Sequence, residues 1–130
     1  MLETLYHAVG RGLAAPQVGA MVRLFVMDCS WKDGHAEPQV FINPEILALS
    51  DETAVRSEGC LSIPGITADV TRPVAVTLRW LGLGGDLQQQ GFSGFAATCI
   101  QHEIDHLDGV LTLDRVDPDA RARLLADLAA

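Results

Sequence analysis

The stretch Ala97-Thr98-Cys99-Ile100-Gln101-His102-Glu103-Ile104-Asp105-His106-Leu107 constrains this chain more than any other. It is the one place where two of the four histidines lie close together. On a helix, residues four apart share a face, so His102 and His106 can point at one ion. Glu103 then lies about 100° further round, beside the ion, where a carboxylate can take a proton from an attacking water. Ser93 is placed to cap the start of this helix and Gly109 to stop it. Ile100, Ile104, Leu107 and Leu111 form an apolar row, while Phe95, Thr98 and Cys99 lie above the histidine face. A helix that is apolar on more than one side is a buried one. A histidine pair on a helix is more often structural than functional; the glutamate between the two, on a buried helix, turns the reading towards a metal site.

Around such a helix 130 residues make one domain, spanning 1–130, with a real core but little to spare. With 48% hydrophobic and 20% charged residues, the chain reads as globular and not disordered. A net charge of −8 argues against a nucleic-acid surface, which needs clustered Lys and Arg. No apolar run reaches the roughly 18 residues of a membrane helix, and no signal-peptide pattern opens the chain. Cys29, Cys60 and Cys99 are too few and too scattered for a disulfide framework, which makes a reducing cytoplasm the simplest compartment.

The spacing of Leu2, Leu5, Tyr6 and Val9 predicts a helix over residues 1–9 with no residue to cap it, so the sequence is expected to start inside a helix. Gly10, Gly12, Gly19 and Pro16 rule out a regular helix in the next segment, whose small residues let another backbone approach. It leads into a strand, Leu24-Phe25-Val26-Met27. Val40-Phe41-Ile42 reads as a partner strand ending at Asn43-Pro44, Ile46 to Leu49 continues extended, and a polar stretch runs from Ser50 to Ser57. Val74, Val76, Leu78 and Trp80 alternate onto one face of a strand over 74–81. A hairpin turn over 82–86 returns the chain through 87–92, and Pro118 to Ala129 forms a short amphipathic helix. The expected class is α+β, with short, mostly antiparallel sheets packed around one central helix.

Two histidines are an incomplete site, since a catalytic ion has three protein ligands and an open position. Cys60 is the candidate for the third, because Glu58-Gly59-Cys60-Leu61-Ser62 can turn a thiolate inward. An isolated cysteine is usually a small buried hydrophobe, and Cys29 and Cys99 follow that pattern. Gly10-Arg11-Gly12-Leu13-Ala14-Ala15-Pro16-Gln17, Glu58-Gly59-Cys60-Leu61-Ser62 and Gln101-His102-Glu103-Ile104-Asp105-His106 together resemble the three signature motifs of the peptide deformylase family, in order and at compatible spacing.

The resemblance implies a deformylase-like fold and a metal-dependent hydrolase that removes the formyl group from the N-terminal methionine of new polypeptides, releasing formate. Cys60, His102 and His106 would hold one Fe2+ per chain, a position Zn2+, Ni2+ or Co2+ can also take. Glu103 would carry the proton, while the Gln17 amide and the Leu61 backbone N–H would stabilise the formyl oxygen. Gly12 and Gly59 would pair with the peptide backbone as an added strand. Leu61, Phe95, Cys99 and the His102 ring would line the methionine pocket, and Glu58 would organise its loop by pairing with an arginine such as Arg72. Gln101 and Asp105 read as supporting or solvated residues. The expected partner is an N-formylmethionyl peptide, with no nucleic acid and no membrane, and the protein is expected to be a cytoplasmic monomer.

The chain departs from the family by lacking its usual N-terminal segment, and Arg11 stands where an apolar residue is common. Two explanations are expected for the short start: a longer reading frame, or a naturally shortened member. The competing readings are an inactive relative that only binds N-terminal peptides, and a generic zinc peptidase. The peptidase reading needs a ligand after the helix, where only Asp114, Asp117, Asp119 and Asp127 are available.

Overall fold

The computed structural model describes residues 2–7, 11–20, 22–29, 34, 37–59, 67–110, 115, 119 and 122. In chain order these form α1 (Leu2–His7), β1 (Gly12–Ala14), a 3-10 turn (Ala15–Val18), β2 (Leu24–Met27), β3 (Gln39–Leu49), β4 (Thr53–Gly59), β5 (Thr67–Pro73), β6 (Ala75–Leu81), β7 (Leu87–Ser93) and α2 (Gly94–Leu107). Strands β1-β2-β3-β6-β7 make an antiparallel sheet in that order, and β4 and β5 pair as a separate antiparallel ribbon. The α+β class with a central helix is what the hydrophobic periodicity predicts.

Alternation along the short strands sends side chains to both sides of the sheet. Leu13 and Val26, paired across β1 and β2, face α1 and meet the fully buried Leu5. Ala14, Phe25 and Met27 point the other way, into a core shared with Ala97, Cys99, Ile100 and Ile104 of α2. Its aromatic centre stacks Phe25 on Phe41 at 4.5 Å and tilts Trp80 against Phe41 at 4.8 Å. Val76, Leu78 and Trp80 are buried while their neighbours are only partly covered, as the pattern over 74–81 requires.

Three local expectations change. The strand expected to end at Asn43-Pro44 runs on to Leu49. Asn43 takes a left-handed conformation (φ 49°), and the pairing with β6 shifts register between Ile42 and Glu45. Asparagine tolerates that conformation, so the chain absorbs Pro44 as a bulge instead of stopping. The polar stretch 50–57 contributes most of β4. Its pattern is invisible because the buried inward positions of the ribbon are Glu58, Ala68, Val70 and Arg72, not an apolar row. Ser93 holds the cap position of α2, yet its hydroxyl makes no capping bond.

The other end of α2 closes as Gly109 suggests. With φ 77°, Gly109 donates its N–H to His106 O, and Val110 donates to Asp105 O at 2.7 Å. This is the paired-bond stop that favours glycine. Val9, Leu111 and nearly all of the helix expected over 118–129 lie outside the described residues. No helix among the described residues is long and apolar enough to cross a membrane.

Candidate metal centre

One turn of α2 brings the two histidine rings together. Their Nε2 atoms face each other at 3.0 Å, with the rings inclined at 75°. Glu103 joins them: one ligand atom from each of His102, Glu103 and His106 lies within 4.8 Å of the other two. His102 and Glu103 are buried and His106 is half-buried.

The second nitrogen of His102 is already committed. Its Nδ1 lies 2.9 Å from Oε1 of Glu58, at the inner end of β4. A carboxylate only accepts, so Nδ1 carries the proton and Nε2 keeps its lone pair for a cation. Burial pushes the Glu58 carboxyl up, but the hydrogen bonds from His102 and Arg72 outweigh it and hold it below the usual glutamate range. Arg72 grips Glu58 with two bonds, Nε at 2.6 Å and Nη2 at 3.0 Å, so the expected Glu58–Arg72 pair is present.

Nη1 of Arg72 donates to Oδ2 of Asp105 at 2.8 Å, and Asp105 takes two further bonds from Arg115. Of the two readings of Asp105, supporting or solvated, the structure bears out the supporting one. Asp105 is 7% exposed because its side of the helix meets the ribbon and not water. Gln101 is buried as well, donating to the carbonyls of Pro73 and Ala97. The contact between Glu58 and His102 was missed in the sequence, where 44 residues separate the two. Its only cue was the place of Glu58, two residues before Cys60.

Two converging imidazole nitrogens, one with its tautomer set by a carboxylate, and a neighbouring acid form a donor set that fits a divalent transition ion. Comparison with known proteins agrees. The family model described as Polypeptide deformylase matches residues 1–122. A peptide deformylase of Afipia carboxidovorans is 50% identical over 125 residues, which is 96% of this chain and 73% of that protein. One from Agrobacterium fabrum is 49% identical, covering 89% of this chain and 68% of its own length. The crystal structure of a Synechococcus elongatus peptide deformylase in complex with actinonin superposes with a TM-score of 0.94 at 44% identity, over 99% of this chain and 71% of that one. The Thermotoga maritima enzyme gives a TM-score of 0.83 at 45% identity, over 91% and 77%.

The chain belongs to the peptide deformylase family. As a deformylase it is a metallo-hydrolase, and the cluster on α2 is its metal-binding site.

The other residues singled out in the sequence take these places. Gly12 opens β1 directly against α2. A Cβ there would stand 2.9 Å from Glu103 Oε1 and 2.8 Å from Cys99 Sγ, so only glycine lets the strand lie so close. The Cys99 thiol is held well above its ordinary pKa by its hydrogen bond to Cys29, by burial and by the Glu103 charge. It is a neutral thiol beside the Glu103 carboxylate. Gln17 sits in the 3-10 turn that packs on α2, and its side-chain oxygen accepts the Ala14 N–H at 2.8 Å. That bond leaves the amide NH2 as the end able to donate elsewhere. Phe95 lies in the first turn of α2, 44% exposed, and Gly59 ends β4 beside Glu58. Cys60 and Leu61 lie outside the described residues.

Proposed function

We propose that this deformylase uses Cys60, His102 and His106 to hold one Fe2+, with Zn2+, Ni2+ or Co2+ able to take its place. The substrate is the N-formylmethionyl end of a nascent polypeptide and the products are formate and a free amino terminus. A cation bound there supplies Lewis-acid activation of water and of the formyl group. The reading rests above all on the facing Nε2 atoms of His102 and His106, with Glu103 beside them.

The chain's own groups do the rest. Glu103, buried and pressed against Gly12, takes the proton of the attacking water and returns it to the departing amine. Gln17, its oxygen tied to Ala14, turns its amide NH2 to the formyl oxygen together with the Leu61 backbone N–H. Such donors act where negative charge grows in the transition state. The edge position of β1 in the sheet supports a peptide lying alongside Gly12 as an added strand, with Gly59 on its other flank. Phe95, Cys99 and the His102 ring, spaced along one side of α2, line the methionine pocket. The enzyme works as a single catalytic domain, a monomer, in the cytoplasm.

Metal content and hydrolysis of a formyl-Met tripeptide, measured on one anaerobic preparation, test this. Stoichiometric Fe2+ with turnover is expected. Glu103→Ala should keep the metal and lose activity by about 10²–10⁴-fold, whereas Cys60→Ser should lose the metal. Full activity in Glu103→Ala would remove the assigned base, and unchanged metal content in Cys60→Ser would remove the third ligand.

A further inference from the structure

Arg11 carries a charge for which the described residues supply no carboxylate partner. Arg23, Arg72, Arg79 and Arg115 each pair with a carboxylate, but among the described residues none pairs with Arg11. Its Nε is buried with no hydrogen-bond partner, and its guanidinium lies over the exposed Phe95 ring, 5.2 Å from the centroid. An arginine on an aromatic face is held in place while the edge of its fork stays able to donate. The backbone beneath is fixed too, since Arg11 O accepts the Asp28 N–H at 2.8 Å.

Its position relates it to the reaction. Gly12, the next residue, abuts Glu103, while the Arg11 guanidinium sits over Phe95, seven residues before His102 on α2. Seven residues of helix rise about 10 Å. An extended peptide advances about 3.3 Å per residue, so a chain leaving the reacting centre along β1 passes Arg11 within about three residues. Resting on the deformylase reading above, we propose that Arg11 is a specificity-determining residue that favours a carboxylate on the second or third residue of the formylated peptide, counting methionine as the first. The carboxylate is either a side chain or, on a very short peptide, the free C-terminus.

The test compares kcat/KM for formyl-Met peptides carrying Glu, Gln or Lys at the second and then the third residue, each as free acid and as amide. The native metal-loaded enzyme, Arg11→Leu and Arg11→Glu are assayed. In the native enzyme the order Glu, Gln, Lys is expected, with roughly tenfold between the extremes, and the ratio should shrink as salt screens the charge. Arg11→Leu should flatten the ratio and Arg11→Glu should invert it. Ratios taken within one protein are insensitive to any general loss of activity. If neither variant folds, the native ratio and its salt dependence still decide. Preference for free acid over amide, whatever the side chain, assigns the contact to the C-terminus. A native Glu-to-Lys ratio near one, or one unchanged in Arg11→Leu, overturns the inference while normal turnover of the Gln peptide leaves the deformylase reading standing. Absence of turnover on the Gln peptide sinks that reading, and the inference with it.

Discussion

At residue scale the site depends on one missing methyl group as much as on the groups that are present. A Cβ on Gly12 would fall 2.9 Å from the Glu103 carboxylate oxygen and 3.1 Å from its Cγ, so the acid must move if the strand does not. Gly12→Ala is therefore expected to leave the fold and metal content largely intact and to lower kcat by about 10- to 100-fold, since misplacing a reacting group by about 1 Å costs on that order. Steady-state kinetics beside metal analysis on the same sample checks this. A kcat within twofold of the parent would mean that Glu103 has room that this packing denies. The glycine spacing in the sequence suggested a close approach here, but it did not say which side chain was being approached.

At the scale of elements, α2 and the ribbon of β4 and β5 are joined through a buried line of charges. Arg115, Asp105, Arg72, Glu58 and His102 form a continuous line of contacts from the helix to the ribbon and back to a metal-binding ring. Arg72 is its centre, 6% exposed and touching two carboxylates. Removing one partner of a buried network leaves charges uncompensated, which costs about 3–5 kcal/mol. Arg72→Met is thus expected to lower the unfolding free energy by an amount in that range, seen as a lower urea midpoint at unchanged slope, and to weaken metal binding, because Glu58 no longer fixes the His102 tautomer. Equilibrium unfolding and metal titration measure the two effects. A variant as stable as the parent would show that the ribbon is held in some other way.

For the whole molecule, metal binding and stability should be linked. A ligand that binds only the native state at 100 times its Kd adds about 2.7 kcal/mol. Chelation is therefore expected to lower Tm by several degrees, with restoration on adding back Fe2+ or Zn2+, read by differential scanning calorimetry. A Tm that ignores chelator would mean that the apo site is as stable as the loaded one.

The sequence by itself determined the helix that bears His102, Glu103 and His106, the strand over 74–81, the stop at Gly109 and the family. Each is written in local spacing, which short-range geometry converts directly into a shared face or a turn. Only the tertiary structure decided that Asp105 is buried, that Glu58 holds Nδ1 of His102, that Asn43-Pro44 is a bulge within one strand, and that β4 exists at all. Those features depend on which distant segment packs alongside. Where a ribbon buries an ion network in place of an apolar row, the residues facing inward look, along the chain, like residues facing water.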